Sequence, residues 1–533
     1  MYGYSVSRNG ILTDNYYKQI GEYTEPEPQG VYIMIRKVNS EVIINQDFHG
    51  GYGLYLFENK DTNYFALSNS FLLLEEHLIG KQKISFNKDF ADYLIISGLC
   101  SLSIDETIIK EIKQIPTNAY LVININKKIF KIHYIDYKEN TIPLESFKGL
   151  KIIDEWIDKW GYIFRSLKKK TDNISFDLSG GFDTRVLLSI LLNSGVDLNE
   201  IYIHSMNDKK HDHNIDFKIA SDISSKFGFK LNNFNLDINS VKWGIKNTLY
   251  NTIYSKLGFH KEFYLKNQFY MKPRFTFAGS CGEDLRGFPG FPIEKYIEKQ
   301  SSPKVFGHKD DFYKSSKRLI KRSVSLLKSK NVYKNGYEIS NSLYSKVTGR
   351  NHFGKLALES FIANIYTLQP LMDPDIKKIK YDISSNKSHD LIAYIYVRFA
   401  NDLINFPFQG NRSINLNSIK KARILNKKLT TYKIKKDYNA NFYIDQKRPC
   451  PAPPSKENGT AIKYLENLFE SPRYISIINK IYDNNVYIWA NSFRNNYNYF
   501  PLKQHYALLA VVVTINNLSS NKSSVEKFFF NKE

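Results

Sequence analysis

The sequence has 533 residues, enough for two to four domains at roughly 150 residues per domain. Hydrophobic residues make up 42% of the chain, which allows a sizeable core, yet no apolar run approaches the roughly 20 residues that a membrane-spanning helix needs. The net charge of +22 is carried by 75 basic residues, of which only 15 are arginine. Arginine's planar fork is the preferred group for base and phosphate recognition, so the charge gives little support to a nucleic-acid partner.

The N-terminus and the cysteines indicate the compartment. The opening stretch "MYGYSVSRNG" has neither the basic nor the apolar segment of a secretory signal. The three cysteines, Cys100, Cys281 and Cys450, suit neither a disulfide framework nor a paired-cysteine zinc site. We therefore expect a cytoplasmic protein with no membrane association.

The first part of the chain alternates in short runs typical of β-strands. These runs are bounded by Gly, Asn, Asp and Lys turns, as in an antiparallel β domain, and one helical stretch, 89–99, interrupts them. A polar stretch closes this part near residue 150, so residues 1–148 are predicted to form one β-rich domain. The runs are "GVYIMIRK", "EVIIN", "GLYLFEN", "YFALSNS", "AYLVININ" and "KIFKIHYI".

From residue 151 strands alternate with helices. An amphipathic helix, "KIIDEWIDKWGYIFRSLKKK", leads into the strand "ISFDL", the helix "VLLSILLNSG", the strand "IYIHS", the helix "DFKIASDISSKFG" and the strand "LNNFNL". This order predicts an α/β fold with a doubly wound parallel sheet in residues 149–533, with a helical half from about residue 310.

Between the first of these strands and its helix lies the stretch "SGGFDT", Ser179 to Thr184. A helix N-terminus attracts anions, and Gly180 and Gly181 let the backbone approach a phosphate closely. Ser179 and Thr184 can add hydroxyl donors. Neither a Walker-type Gly-Lys-Ser/Thr sequence nor a Gly-x-Gly-x-x-Gly fingerprint is present.

Asp183 makes this phosphate loop unusual. A carboxylate beside phosphates repels them unless a divalent cation lies between, and Mg²⁺ holding pyrophosphate oxygens resolves the conflict. An ordinary glycine turn joining a strand to a helix is the alternative.

The stretch "SGGFDT" resembles the Ser-Gly-Gly-x-Asp-Ser/Thr loop of ATP-pyrophosphatase enzymes, and its context is most similar to the asparagine synthetase family. The resemblance covers most of the chain: "HGGYGLYLFENKDTNYFALSNSFLLL" and "LIISGLCSLSIDETIIKEIKQIPTNAYLVI" are similar to parts of that family's glutaminase-type (Ntn-type) domain. "IYIHS" resembles the strand whose end cradles adenine, and "DHNIDFKIASDISSKFG" the Asp-led helix that follows it.

A second signature of the family, Gly-Asp-Gly-x-Asp-Glu, is resembled by "AGSCGEDLRGF", with Gly279, Glu283, Asp284 and Gly287 aligned. Glu283 stands where the metal-binding aspartate is usual. Either Glu283 or Asp284 could complete a Mg²⁺ site with Asp183. Lys447, in "DQKRPCP", lies roughly where the family often has a lysine on the phosphates.

The resemblance implies an ATP- and Mg²⁺-dependent ligase that adenylates a small or sugar-linked carboxylate and passes it to an amine or ammonia. Asp183 and Lys447 are the implied catalytic residues, and Asp183, Glu283 and Asp284 the implied metal ligands. A homodimer is compatible with the resemblance. The implied nucleotide-binding residues are Ser179, Gly180, Gly181, Asp183, Thr184, His204, Ser205 and Gly279.

Two departures from the family bear on the reaction. Glutamine-dependent members expose a cysteine as residue 2, whose thiolate attacks glutamine, but this chain has Tyr2, and Cys100 is expected to be a small buried residue. The stretch "QPLMDPDI" resembles the family's Arg-x-Pro-Phe-Leu-Asp segment, but Tyr366 and Leu368 replace its Glu and Arg. The first domain is therefore expected not to hydrolyse glutamine, and the acceptor is left open.

Two other functions stay open on the sequence. The net charge would suit a tRNA-modifying ATP-pyrophosphatase, although paired cysteines are missing and the glutaminase-like part argues against it. Tyr2, Glu283 and the missing Glu/Arg pair would suit a non-catalytic relative that binds a nucleotide or a partner.

Overall fold

The computed structural model describes most of the first 286 residues and several later segments. The described residues are 1–21, 23, 25–97, 103–135, 142–207, 213–233, 269–286, 310–329, 343–362, 364–380, 389–429, 440–444 and 448–450, together with 294–295, 298, 472, 475–476, 511, 514–515 and 517–519.

Within these residues, strands form five sheets. The six predicted strand runs of the first part are all strands, which confirms the alternating pattern. The strands are β1 Tyr2–Ser7, β2 Gly10–Leu12, β3 Gly30–Val38, β4 Glu41–Gln46, β5 Tyr55–Asn59, β6 Tyr64–Ser68, β7 Ile112–Gln114, β8 Ala119–Asn124, β9 Ile129–Tyr134, β10 Ile142–Pro143, β11 Ile174–Asp177, β12 Tyr202–His204, β13 Phe269–Met271, β14 Arg274–Phe277, β15 Ile365–Leu368, β16 Ile379–Lys380, β17 Asn441–Phe442 and β18 Arg448–Cys450.

The helices include those predicted after residue 150. No helix in the described part of the chain is both long and apolar enough to cross a membrane. The α-helices are α1 Asp14–Ile20, α2 Phe71–Leu78, α3 Lys88–Ser97, α4 Phe147–Lys168, α5 Phe182–Leu192, α6 His213–Phe227, α7 Asp310–Ser329, α8 Lys355–Ile362, α9 Pro374–Lys377, α10 Asp390–Phe399 and α11 Leu416–Asn426; a π-helix spans Tyr344–Gly354 and short 3₁₀ helices span Leu198–Glu200, Gly282–Arg286, Pro370–Met372, Asn401–Asn405 and Gln409–Asn411.

The first part of the chain forms two sheets. One has the order β17-β2-β1-β3-β4-β8-β9, antiparallel except where β17 meets β2, and the other is the antiparallel sheet β6-β5-β7. Alternate side chains of β1 and β3 point into the core; Tyr4, Val6, Val31 and Ile33 are all buried. The predicted mixed α/β class, with antiparallel and parallel sheets, is thus confirmed in its broad form.

The parallel sheet has the order β12-β11-β14-β15. Its two faces differ, because residues along a strand alternate between them. The apolar face is built by neighbours in register such as Ile203, Phe176 and Phe277, all buried. The opposite face carries polar side chains, among them Ser175, whose hydroxyl lies 2.9 Å from that of Thr276.

Helix α4 covers the apolar face of the parallel sheet. Its apolar positions recur every three or four residues, and Phe164 packs edge-on to Phe277 with ring centroids 5.0 Å apart. The two buried indoles keep their N–H groups satisfied: Trp156 donates to the carbonyl of Pro370 at 3.1 Å and Trp160 to Asp373 Oδ2 at 2.8 Å. The helix therefore ties the sheet to the segment after β15.

The region beyond residue 310 differs from the predicted helical half. It contains α7, α8, α10 and α11, but it also supplies β15, which pairs with β14 in parallel, and β17, which joins β2 in the first sheet. These strands are two to four residues long. Runs this short carry too little periodicity to be separated from loops, so only their distant pairing partners define them.

Glu75 in α2 is expected to make stability depend on pH. The side chain is buried, which raises the pKa of this carboxyl to about 8, and the nearby Asn517 side chain offsets only part of this effect. A buried carboxyl with a raised pKa favours the folded state only while it is protonated. The free energy of unfolding should therefore fall as pH rises from 5 to 8, by roughly 1.4 kcal/mol for each pH unit. Denaturant titrations at both pH values check this. Glu75→Gln should remove most of the fall, whereas Glu58→Gln, at an exposed position, should leave it.

Candidate functional site

The candidate site lies at the carboxyl edge of the parallel sheet. Strand β11 lies between β12 and β14 in the sheet. The connection that follows β11 leads to β12 and the connection that follows β14 leads to β15, so the two leave in opposite directions. In parallel α/β sheets a crevice opens at such a point, and ligands bind there. The loop after β11 and the loop after β14 border this crevice.

The loop after β11 closes on itself at its two hydroxyl residues. The amide of Ser179 donates to Thr184 Oγ1 at 3.2 Å, and the two hydroxyl oxygens lie 3.1 Å apart. The amide of Gly181 donates to Ser179 Oγ at 3.1 Å. Gly181 is the N-cap of α5 and provides no side-chain cap to this helix, whose first turn begins with Phe182 and Asp183.

Gly180 is packed against a helix that the sequence did not connect with it. Its amide donates to Asp216 Oδ1 of α6 at 2.8 Å, and a Cβ at Gly180 would lie 2.7 Å from that oxygen and 2.9 Å from Ile219 Cδ1. A side chain at this position would have to displace the ends of the Asp216 and Ile219 side chains. Asp216 therefore holds the loop in place and brings a further carboxylate to it.

Arg185, in α5, anchors the same loop through hydrogen bonds to backbone carbonyl groups. Its guanidinium is fully buried and donates to the carbonyl oxygen of Gly180 at 3.2 Å, to that of Phe406 at 3.2 Å and to that of Pro407, and it lies 3.9 Å from the centroid of the Phe408 ring. Burial lowers the pKa of this guanidinium to about 10, which leaves it charged near neutral pH. The loop backbone is thus anchored to the segment that follows α10.

The loop after β14 meets the first loop at Asp183. A Cβ at Gly282 would lie 2.1 Å from Asp183 Cγ and 2.4 Å from its Oδ1, and a Cβ at Gly279 would lie 3.5 Å from the Asp183 backbone. Between them, Cys281 is buried with φ +59, an uncommon backbone conformation for a residue with a side chain. The two predicted signature loops are therefore brought into direct contact.

Glu283 follows Gly282 in the 3₁₀ helix and accepts a hydrogen bond from the Tyr344 hydroxyl at 2.9 Å. Its predicted partner, Asp183, lies against the preceding residue, Gly282, so the two acids are carried by loops that touch at that residue. Asp284 is in the same 3₁₀ helix. The predicted positions Gly287 and Lys447 lie outside the described residues.

The π-helix that carries Tyr344 also contacts the antiparallel part of the chain. Buried Arg350 donates to the carbonyl oxygen of Ile115 at 3.0 Å and to that of Ile104 at 2.7 Å. Lys346 Nζ lies 3.4 Å from the centroid of the Phe48 ring. The orientation of Glu283 is therefore linked, through one helix, to the packing of the first part of the chain.

At the end of β12 the predicted residues are held by a neighbouring asparagine. The amide of Ser205 donates to Asn232 Oδ1 and Asn232 Nδ2 donates to the Ser205 carbonyl, both at 3.0 Å. His204 Nδ1 lies 3.2 Å from Oδ1 of Asp177, the last residue of β11. Both predicted residues thus border the crevice on the side of β12.

The donor set is compatible with a nucleoside triphosphate and Mg²⁺. At Gly180 and Gly282 a Cβ would meet the side chains of Asp216 and Asp183, so glycine lets the loops close on these two acids, and the buried Ser205 Oγ has no hydrogen-bond partner among the described residues. No group of three or more His, Cys, Asp or Glu side chains that could hold a metal ion occurs in the described part of the chain. Mg²⁺ commonly uses one or two carboxylates together with phosphate oxygens and water, which Asp183 and Glu283 could provide.

The first strand begins at residue 2, the position at which glutaminases of the resembled family carry their cysteine. Tyr2, at residue 2, is exposed at the beginning of β1, and Cys100 lies outside the described residues. Tyr4, two residues on, is buried, and its hydroxyl donates to the Thr367 carbonyl of β15 at 2.7 Å. The first strand is thus packed directly against the parallel sheet.

Tyr366 and Leu368, which replace the family's Glu and Arg, are fully buried in β15. The Tyr366 ring stacks on Phe275 with centroids 5.2 Å apart and meets the Tyr4 ring at 5.3 Å. These two positions contribute packing where the resembled family carries charged groups.

The sequence missed four residues that the structure places at the site: Asp177, Asp216, Gly282 and Tyr344. The helix that carries Asp216 was noted for its resemblance to the family's Asp-led helix. Gly282 stands next to Glu283, which was aligned with the family's second signature. Tyr344 had no local signal, because its role depends on a contact with Glu283, 61 positions earlier in the chain.

Comparison with known proteins adds no relative. No family model matches the sequence, and no curated protein matches it at a significant level.

Proposed function

We propose that this chain is an ATP-dependent ligase of the asparagine synthetase type, which forms AMP and pyrophosphate while joining a carboxylate to a nitrogen nucleophile. The observation that carries the proposal is the contact between Asp183, in the first turn of α5, and Gly282, in the loop after β14. The contact supports the proposal because it brings together the loops that carry two acidic residues, Asp183 and Glu283, at the carboxyl edge of a parallel sheet.

The first turn of α5 would bind the phosphates. The positive end of the helix dipole favours an anion, and Gly181 contributes no side chain that would cap the helix there. Mg²⁺, when bound, supplies the positive charge that lets carboxylates face phosphate oxygens. Asp183 and Glu283 would hold it, with the Tyr344 hydroxyl fixing one oxygen of Glu283.

The reaction in this proposal has two steps. An oxygen of the substrate carboxylate attacks the α-phosphorus of ATP, and the bond between the α-phosphorus and the bridging oxygen breaks to release pyrophosphate. A nitrogen nucleophile then attacks the activated carbonyl carbon, and AMP leaves. The chain contributes positioning through Gly180 and Gly181, and charge neutralisation at the leaving pyrophosphate, to which Lys447 would add a cation.

In the same proposal residues 1–148 form a glutaminase-like domain that has lost its nucleophile, and residues 149–533 form a doubly wound ATP-pyrophosphatase domain. Tyr2 cannot replace the thiolate that attacks glutamine. The nitrogen would then come from an amine substrate or from free ammonia.

The experiment is ATP–pyrophosphate exchange by the purified full chain over a panel of small and sugar-linked carboxylates, with and without Mg²⁺. We expect Mg²⁺-dependent exchange with at least one carboxylate, and AMP release when an amine or ammonia is added. Exchange that needs neither a carboxylate nor Mg²⁺ would argue against the mechanism.

A non-catalytic relative that binds a nucleotide or a partner is the second candidate, favoured by the buried Tyr366 and Leu368 at the positions of the family's Glu and Arg. The internal hydrogen bonds of the loop bear on both candidates. The amides of Ser179, Gly180 and Gly181 already donate to Thr184, Asp216 and Ser179, so a phosphate would have to compete for them. ATP binding without pyrophosphate exchange for any carboxylate would favour this role. A tRNA-modifying enzyme would instead show tRNA binding with a steep dependence on salt.

A further inference from the structure

The ends of β11 and β12 carry a side-chain pair that the nucleotide loop does not use. His204 Nδ1 lies 3.2 Å from Asp177 Oδ1, and the side chain of Asp177 is 67% exposed while that of His204 is 35% exposed. An ionised carboxylate only accepts hydrogen bonds, so His204 donates through Nδ1 and fixes the orientation of Asp177. The second oxygen of Asp177 can then face a ligand.

The backbone groups around this pair already form hydrogen bonds within the protein. The Leu178 amide donates to the His204 carbonyl at 2.8 Å, the Ser205 amide donates to Asn232 Oδ1 at 3.0 Å, and the Asn232 amide donates to the Ile203 carbonyl at 2.8 Å. A ligand that extends from the phosphate loop towards β12 would therefore be recognised mainly by side chains. Among the described ones, Asp177 offers a carboxylate, and the Arg274 guanidinium lies near enough to interact with it electrostatically.

Asp177 stands two residues before Ser179, where the phosphate loop begins. In a nucleoside triphosphate the ribose follows the α-phosphate directly, whereas the base lies further away. The ribose 2′- and 3′-hydroxyls form a pair of donors, which a carboxylate accepts well. The same complementarity serves dinucleotide-binding folds, in which an acid at a strand end binds the ribose.

We propose that Asp177, oriented by His204, binds the ribose diol of the nucleotide and so selects ribonucleotides. This inference rests on the proposed function, because it assumes that the phosphates occupy the loop at Ser179–Gly181. Asp177 does not contact the base in this proposal, so it should contribute equally to the binding of ATP and of GTP.

The test is equilibrium binding of ATP, GTP and 2′,3′-dideoxy-ATP to the full chain with Mg²⁺. Wild type should bind ATP about 10- to 100-fold more tightly than the dideoxy nucleotide, as expected for hydrogen bonds to a charged group. Asp177→Asn should weaken the binding of ATP nearly to the affinity of the dideoxy nucleotide. The affinity of the dideoxy nucleotide itself should not change. Asp172→Asn, at an exposed position before β11, should behave as wild type.

The outcomes separate the two proposals. Equal weakening of ATP and the dideoxy nucleotide by Asp177→Asn would overturn the ribose contact, and so would a change in the ratio of ATP to GTP affinity, which would indicate base recognition. If the diol dependence is found but no carboxylate supports pyrophosphate exchange, the ribose contact stands and the ligase proposal fails. Absence of all nucleotide binding by wild type would overturn both.

Discussion

Asp183→Asn is expected to reduce Mg²⁺-dependent pyrophosphate exchange by about 10²- to 10³-fold while the chain stays folded. The carboxylate lies in the first turn of α5 against Gly282. In the proposed function its charge would hold a cation between the protein and the phosphates. An amide has the same shape but no charge. The loss of a favourable charge at the helix N-terminus should cost the fold only about 0.3–1 kcal/mol.

The measurement compares exchange rates over a range of Mg²⁺ concentrations, together with denaturant unfolding of each variant. Asp172→Asn is the matched control, since this acid is exposed and pairs only at the surface with Lys168. Retained AMP formation by Asp183→Asn with a panel of carboxylates would contradict a metal-holding role. A large loss of stability would instead show that Asp183 serves packing.

The alternation of strands and helices after residue 150 made much of the fold predictable. The strand before the glycine loop, the helix after it and the next strand were expected from local periodicity, and β11, α5 and β12 lie where they were expected. Helix and strand periods are local properties of the sequence. They need no knowledge of which segments meet in space.

The strands β15 and β17 show where this reasoning fails. Tyr366 of β15 pairs with Phe275, and Asn441 of β17 pairs with Gly10, so the partners are far apart in the chain. A strand of two to four residues has no pattern of its own; the pairing partner makes it a strand. Contacts with distant segments therefore determine the structure of β15 and β17, which lie in the part that was predicted to be helical.

The residues of the candidate site also fall into two groups, those that a local sequence motif identified and those that distant contacts bring to it. Ser179, Gly180, Gly181 and Asp183 are adjacent in sequence, so a local motif was enough to find them. Their supports come from elsewhere: Asp216 reaches Gly180 across 36 positions and Tyr344 reaches Glu283 across 61. Such contacts depend on which segments the fold brings together, so the family resemblance pointed to the helix that carries Asp216, whereas nothing local pointed to Tyr344.

Gly282→Ala should reduce exchange by about 10²-fold and destabilise the chain by about 1–3 kcal/mol. The added Cβ would lie 2.1 Å from Asp183 Cγ and 2.5 Å from Asp183 Cβ, distances that no packed methyl group tolerates, so the two loops would have to separate. Overpacking of this kind costs a few kcal/mol, and a displacement near 1 Å at a reacting centre costs about 10²-fold in rate. Because the carboxylate of Asp183 would be retained, a loss of exchange would come from its position and not from its charge.

Gly279→Ala is the comparison within the same loop. A Cβ there would come no closer than 3.5 Å to Asp183 or to the amide of Thr184, which is ordinary contact, so the free energy of unfolding should stay within about 0.5 kcal/mol of wild type. If Gly282→Ala unfolds like wild type and exchanges pyrophosphate normally, the two loops do not meet in solution as the structure places them. If it loses exchange and Gly279→Ala keeps its stability, the close approach at Asp183 is what assembles the site, because the two substitutions add the same methyl group three residues apart.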